Sequence, residues 1–540
     1  MTELSLEQLH INGTISKGSS LTSEITSKVI NLFKPVSTSF GPLGLDKMII
    51  NGIGDVTTTN DGATLVSNLF VTDPFQKMIV NLANQQDKEV GDGTTTVVLL
   101  ACELIRTGNL LKKTLSTNVI IQGFKIAYRE CVKFIKLRQK DVGKLDQKVL
   151  QNIVKTTIRS KIIGQEIDFF SDLISSCFVK NSVVEPRVFK SFGGSMVDSA
   201  IFDGFLVNCR PEKSSENHGE NTLKLKGGVK FVCIDFELQK TKMPLNVNVD
   251  LKDVREVENV RKAEENITKE KLDAIIKSNV HVVLTTKGAD DMSLRILDQH
   301  SIMVIKRCKL EDLEEMCKIF GIPLIRTLSD LSGNNSLTEN MIGTTEFVKI
   351  LDFEENKVMV QFHSKKAAAI VLKGSNEQLL DEMERSVHDA LCILKRTKES
   401  KFVVASGGAI ECALFLYLQD FIASISSREH VSISKYAEAL LTLPRLIAEN
   451  AGLDSDKVLA EILQVQSKLN DLNKNECFDF GMDLTDEYLV KNNMERGIFE
   501  PAVVKIKAIR AATEAAISVL RIDEMIVLNP EKKPIADECH

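Results

Sequence analysis

Apolar residues recur at helical spacing near both ends of this chain and at strand spacing in its middle. Ile25, Val29, Ile30 and Phe33, then Met78, Ile79 and Leu82, fall three or four residues apart, so 22–145 reads as helical, and so does 402–527. Between them come short β-rich runs, Phe231-Val232-Cys233-Ile234, Val280-His281-Val282-Val283-Leu284 and Met303-Val304-Ile305. These alternate with the helical stretches 288–299 and 311–319, the pattern of a sheet covered by helices. An α/β domain therefore interrupts a helical one. Gly227-Gly228 and Gly374-Ser375 read as hinge or boundary punctuation, and 212–221, rich in Ser, Asn, Glu and Gly, as an exposed loop. The 540 residues exceed what one core usually serves, which agrees with two or three domains.

The chemistry concentrates in three glycine-bearing strings. Gly91-Asp92-Gly93-Thr94-Thr95 stands directly before the apolar run Val97 to Leu100, which reads as the start of a buried helix. The first amides of a helix lack internal partners and carry the positive end of its dipole, so an anion is favoured there. Asp92 would repel a bare phosphate, but a divalent cation between carboxylate and phosphate removes the conflict, and hard oxygen donors suit Mg²⁺. Asn60-Asp61-Gly62-Ala63-Thr64 repeats the Asp-Gly-x-Thr pattern, and Gly41-Pro42-Leu43-Gly44 offers a third place for close backbone approach. Taken singly each is a turn or a helix cap. Together they read as a Mg-nucleotide site. The Gly-x4-Gly-Lys-Ser/Thr motif is absent, which argues against a P-loop NTPase.

Charge and cysteine usage narrow the class. A net charge of −6 over 68 basic and 74 acidic side chains argues against a nucleic-acid partner. The 11 cysteines include no C-x-x-C pair and read as reduced core thiols. Residues 1–20 show no export-signal pattern, and no run approaches the ~20 apolar residues of a membrane span. No membrane is expected as a partner, and the expected location is the cytoplasm.

The strings, in order and spacing, resemble the signatures of the group II chaperonins, the archaeal and eukaryotic cytosolic ATP-driven protein-folding rings. The resemblance rests on 39–48, Thr59 to Thr64 and Gln86 to Thr95, and it extends nearly end to end. Phe236 to Met243, Asp381 to Cys392 and Ala512 to Asp523 are similar to the eukaryotic complex CCT (TRiC), its alpha-type subunits in particular.

That resemblance implies a multidomain α+β and α/β chaperonin fold. A mostly helical equatorial domain would comprise 1–147 and 404–540, a small intermediate domain 148–217 and 369–403, and an inserted α/β apical domain 218–368. Lys252 to Lys277, a charged amphipathic stretch by pattern alone, would belong to a helical lid protrusion at about 243–280. ATP and Mg²⁺ are the implied cofactors. Implied partners are other subunits of a hetero-oligomeric double ring of eight-membered rings, and non-native polypeptides such as cytoskeletal clients.

Site residues carry over position by position. Asp389 would act on the attacking water, with Asp61 as a second carboxylate acting on that water or on the nearby cation, and Asp92 on the metal. Gly41, Gly91, Gly93, Thr94, Thr95, Thr96, Ser160, Lys161 and Gly407 would bind the nucleotide, with Gly481, Asp483 and Glu500 at its adenosine end. Pattern alone reads several of these differently. Asp389, four residues after Arg385, would be half of an exposed ion pair, Lys161 a surface lysine and Glu500 a loop acid. His388 reads as a packed or surface imidazole.

Some positions depart from the family. Ser406 replaces the first glycine of the usual triple, Ala405 a common proline and Phe40 a usual leucine, while 177–199 diverges and 212–221 looks inserted. The tail after Asn529 lacks the usual glycine-rich extension. Two other readings stay open: a ring subunit that binds ATP but scarcely hydrolyses it, and a small-molecule phosphotransferase using the same loops.

Overall fold

The computed structural model describes residues 13–69, 71, 73–143, 146–181, 185–212, 222–240, 254–328, 337–354, 357–424, 428–471, 477–485 and 490–528. Residues 213–221 of the expected loop, 241–253 of the expected protrusion and the tail from 529 lie outside them. The chain forms two compact units, one from 1–171 with 388–540 and the other from 172–387, so the middle is an insertion as the periodicity predicts. The chain passes between them inside two helices, Ile167–Lys180 and Glu377–Ser400.

The first unit is built around the helix Thr94–Leu111. Val97, Val98, Leu99, Leu104 and Ile105 on all its sides are fully buried, the mark of a helix at the centre of a bundle. Gly18–Ser37, Pro74–Val90, His430–Leu440 and Ala502–Leu520 pack on it. A small antiparallel sheet places Phe402–Ala405 between Lys140–Asp141 and Phe499–Pro501, with Val404 opposite Glu500. Helical spacing misreads these strands, the pair Phe480–Met482 and Val490–Asn492, and a further place nearer the start. Lys47–Ile50 and Val56–Thr59 form a hairpin that leaves Met48, Ile50 and Ile53 exposed. Its β-branched Thr57-Thr58-Thr59 run and the Gly52 and Gly54 turn favour strands.

In the second unit a seven-stranded sheet runs in the order Phe205–Val207, Lys357–Phe362, Gly343–Glu354, Thr222–Ile234, Val282–Thr285, Met303–Ile305, Pro211–Glu212. Alternate residues of its parallel centre serve two cores. Phe231, Cys233, Val282, Leu284 and Ile305 meet Leu313 and Met316 of the helix Leu310–Phe320. Val232, Ile234, Val283 and Val304 meet Leu272 and Ile275 of the helix Val254–Lys277 and Leu297 of the helix Asp291–Gln299.

Gly227 and Gly228 are not a hinge. They lie inside the strand Thr222–Ile234 with φ of 112° and 89°, beside a register shift between Thr345 and Phe347 on the neighbouring strand. The positive φ serves a bulge. Gly374, by contrast, closes the strand Ala368–Gly374 just ahead of the helix that starts at Glu377. Nine cysteines are free thiols, of which Cys209 and Cys392 are partly accessible and the other seven buried. No helix among the described residues is long and apolar enough to cross a membrane.

Candidate nucleotide site

A cavity of about 590 Å³ opens within the first unit. Its wall includes Gly41, Asp61, Asp92, Gly93, Thr94, Thr95, Thr96, Ser160, Lys161, Asp389, Gly407 and Glu500. Residues spread over more than 400 positions are thus brought to one space.

Each glycine string has a local reason for its shape. Gly91 ends the helix Pro74–Val90 in a left-handed conformation, φ 79°, and Gly93 begins the helix Thr94–Leu111 in another, φ 76°. No side chain caps that second helix, so its positive end faces the cavity without an internal acid. The helix Ala409–Ala423 repeats the device: Gly408 is its N-cap at φ 78°, again without a side-chain cap. Two such helix ends on one cavity suit an elongated anion.

Asp61 is both a cap and a wall residue. Its Oδ2 accepts from the Thr64 backbone N–H and hydroxyl, each at 2.8 Å, which starts the helix Gly62–Asn68. Its Oδ1 accepts from Thr94 Oγ1 at 3.1 Å and so ties the two strings together. Asp92 is folded back on its own loop, with Oδ1 accepting from the Gly93 N–H at 2.6 Å. Asn60 donates from Nδ2 to the Ser160 carbonyl at 2.7 Å and anchors the segment that carries Lys161.

Asp389 and Lys161 contradict what pattern alone expects of them. Asp389 is buried, and the Lys161 ammonium pairs with its Oδ2. Arg385 instead reaches Glu382 three residues earlier, at 2.7 Å. His388 is exposed.

The electrostatics come from three carboxylates around one ammonium. Burial disfavours the charge on Lys161, but Asp389, Asp92 and Asp61 outweigh it and hold the amine protonated. Burial also works against Asp61, yet Lys161 and the bonds from Thr64 and Thr94 keep its carboxyl below the ordinary range. Asp92 is pushed up by burial, and Asp389 is pushed up by burial to about 8 against the pull of Lys161. One positive charge faces three negative ones, and Asp92 and Asp389 are the two that burial holds toward their protonated forms.

That imbalance is the fit a divalent ion requires. Among the described residues no three acidic, histidine or cysteine side chains are arranged to hold a metal by themselves. Mg²⁺ characteristically takes one or two carboxylates and completes its shell with phosphate oxygens and water, and Asp92 and Asp61 beside two open helix ends offer that combination.

Three expected contact residues stand outside the cavity wall. A Cβ on Gly91 would collide with Cys392, so this glycine lets the helix that carries Asp389 approach the loop. A Cβ on Gly481 would lie 2.8 Å from that of Ala409, at the start of the Ala409–Ala423 helix. Asp483 is fully buried and accepts from the Thr485 N–H at 2.9 Å and hydroxyl at 2.5 Å.

Other wall residues carry no signal in the sequence. Asn152, Arg159, Glu411 and Lys505 line the cavity, and Asn493 clamps the Ser406 carbonyl at 2.7 Å beneath it. Each is an ordinary polar residue on a helix or turn, and only the folded chain collects them.

The TCP-1/cpn60 chaperonin family matches residues 32–530. The chain is 41% identical to the T-complex protein 1 subunit alpha of Encephalitozoon cuniculi, over 98% of this chain and 99% of that one. It is 38% identical to the protein of the same name from Dictyostelium discoideum, over 99% of both. Similarity extends to the archaeal thermosome subunit alpha of Aeropyrum pernix, 31% identical over 92% of this chain and 89% of that protein.

Proposed function

The chain belongs to the TCP-1/cpn60 chaperonin family, and on that footing we propose that it is an alpha-type chaperonin subunit that binds and hydrolyses ATP with Mg²⁺ to drive protein folding. The observation that carries the chemistry is the buried Lys161–Asp389 pair, on one cavity wall with Asp61, Asp92 and two open helix N-termini.

In this reading the amides after Gly93 and Gly408 receive the anionic ligand, and Asp61 and Asp92 hold the metal side of it. The Mg²⁺ ion, when bound, neutralises phosphate charge and fixes the terminal phosphate. Lys161 holds Asp389 by Oδ2, which leaves Oδ1 to take a proton from the attacking water. A carboxyl pushed up toward 8 is a stronger base than an exposed one, and Lys161 offsets the charge that develops on phosphate. Gly91, Gly481 and Asp483 shape the wall, and Ser160 and Gly407 give backbone approach.

The wider assignment comes from the family. We place the subunit in a cytoplasmic hetero-oligomeric double ring of eight-membered rings, enclosing non-native polypeptides such as cytoskeletal proteins. Equatorial parts 1–147 and 404–540, intermediate parts 148–217 and 369–403, and an apical part 218–368 with a lid at about 243–280 complete the proposal. The helix Glu377–Ser400 supports coupling, because it carries Asp389 and continues into the second unit. The test is Mg²⁺-dependent ATP hydrolysis and ATP-dependent refolding of a denatured cytoskeletal protein by the purified particle. A chain that stays monomeric with its partner subunits present, or releases no phosphate without an added acceptor, defeats the proposal.

A further inference from the structure

Three residues join opposite edges of the sheet in the second unit. Phe205–Val207 stands at one edge of the strand order and Pro211–Glu212 at the other. Seven strands laid flat at ~4.8 Å spacing would hold those edges ~29 Å apart. Yet only Asn208, Cys209 and Arg210 connect them, a reach of ~14 Å at most. The sheet therefore curls, and its edges meet at a seam that these residues bridge.

Two thiols lie on that seam. Pro211 pairs with Ile305 in an antiparallel register, which carries Cys209 up to the turn after Met303–Ile305, where its Sγ donates to the Arg307 carbonyl at 3.7 Å. Strand alternation would point residue 308 to the opposite face from residue 307. Arg307 breaks the alternation with a left-handed backbone, φ 57°, and the Cys308 thiol comes within hydrogen-bonding reach of Cys209. Cys209 is partly accessible, whereas Cys308 is 4% exposed. The hydrogen bond from Cys308 draws the Cys209 thiol below its ordinary value against burial and Asp312, with Lys309 assisting. The same bond, together with burial, pushes Cys308 up. The pair thus has an accessible member disposed to ionise and an enclosed member that keeps its proton.

Other thiols of the chain offer a comparison. Cys233 and Cys317 also share a hydrogen bond, in the core between the sheet and the helix Leu310–Phe320, but both are buried. Cys392, the other partly accessible thiol, has its sulfur 3.5 Å from His388 Nε2. Disulfide formation needs an ionisable, accessible sulfur and a second sulfur beside it. Cys209 and Cys308 combine the two.

We propose that Cys209 and Cys308 are a redox modification site, at which a hydroperoxide forms a disulfide that staples the two edges of the sheet. The Cys209 thiolate attacks the outer peroxide oxygen and the O–O bond breaks. The leaving alkoxide or hydroxide takes up the proton that the thiol had released, and a sulfenic acid remains. The Cys308 sulfur then attacks the Cys209 sulfur, the S–S bond forms, and the hydroxyl departs with the Cys308 thiol proton as water. Two thiols and one hydroperoxide give one disulfide, one alcohol or water, and one further water. A thiol reductant reverses the step by exchange, so in a reducing compartment the bond is transient.

The experiment treats the purified full chain with hydrogen peroxide, maps disulfide-linked peptides by mass spectrometry and follows amide exchange. A link between Cys209 and Cys308 is expected to form first, about tenfold or more faster than one between Cys233 and Cys317, and to be undone by dithiothreitol. Exchange over 205–207 and 303–305 is expected to slow in the oxidised chain and to recover on reduction. Cys308→Ser is expected to stop at the sulfenic acid, which dimedone captures on Cys209. Cys209→Ser is expected to remove the fast phase of thiol loss. The wild-type mapping needs no substitution, so a folding failure in either variant leaves the test intact. Failure of the link to form overturns the proposal. So does oxidation that begins at Cys392 or at Cys233 and Cys317, or a link that leaves exchange at the seam unchanged.

Discussion

Gly62 and Thr95 approach so closely that a Cβ on Gly62 would stand 2.6 Å from Thr95 Oγ1 and 2.7 Å from its backbone nitrogen. Two strings with the same Asp-Gly-x-Thr pattern are pressed together, and glycine is what permits it. Gly62→Ala must shift the backbone of one string and separate Asp61 from Thr94. The expected result is a loss of Mg-nucleotide affinity of about tenfold or more, with helix content unchanged. Titration beside circular dichroism checks it, and full affinity in the variant would show that the contact is incidental.

Asp389→Asn keeps the shape of the side chain and removes the proton acceptor. Nucleotide binding is expected to persist, while single-turnover phosphate release falls by about 10²- to 10⁴-fold, the usual worth of a general base. Unchanged release would favour the reading of a subunit that binds ATP without hydrolysing it here.

The same variant has a pH signature in the nucleotide-free protein. Folded Asp389 keeps its proton up to about 8, whereas the ordinary value is 3.8, so across that window the folded state binds more protons than the unfolded one. Stability attached to this group therefore declines as pH rises from about 4 to about 8. Asparagine does not titrate. The stability of Asp389→Asn relative to wild type is expected to rise between pH 6 and 8 and then level off, as read by denaturant midpoints. A constant difference would mean that Asp389 is fully ionised beside Lys161.

In the second unit, Arg187 reaches Asp312 at 2.7 Å and Glu315 at 2.6 Å and covers the ring of Phe205. Arg187→Met leaves the buried Asp312 without this partner and is expected to cost about 1–3 kcal/mol. Amide exchange is expected to quicken within 172–387 while ADP affinity stays within about twofold, because no residue of the cavity is touched. A loss of nucleotide affinity in this variant would overturn that separation.

The parts of the site legible in the sequence are those with local causes. Gly91, Gly93 and Gly407 adopt left-handed conformations, and Asp61 caps the helix it precedes, so turn chemistry announces them. Asp389 and Lys161 have no local signal, since they meet across 228 positions and each looks solvated in its own helix or turn. The Arg385 spacing even points the wrong way, because Glu382 offers Arg385 a nearer partner. Only the family resemblance selects Asp389. Glu411 and Lys505 escape both pattern and resemblance, their burial being a product of packing between distant helices. Gly227 and Gly228 show the converse: local signal identifies special backbone, but only strand pairing reveals a bulge rather than a joint.

Both crossings between the units run through helix, with no slack segment at either. Asp389 lies a single residue past His388, where the second crossing begins, so about 1.5 Å of helix axis separates it from that junction. Asp389 therefore belongs to one unbroken run of helical hydrogen bonds with residues counted in the second unit, and any unwinding at that boundary would reach this carboxylate within a single turn.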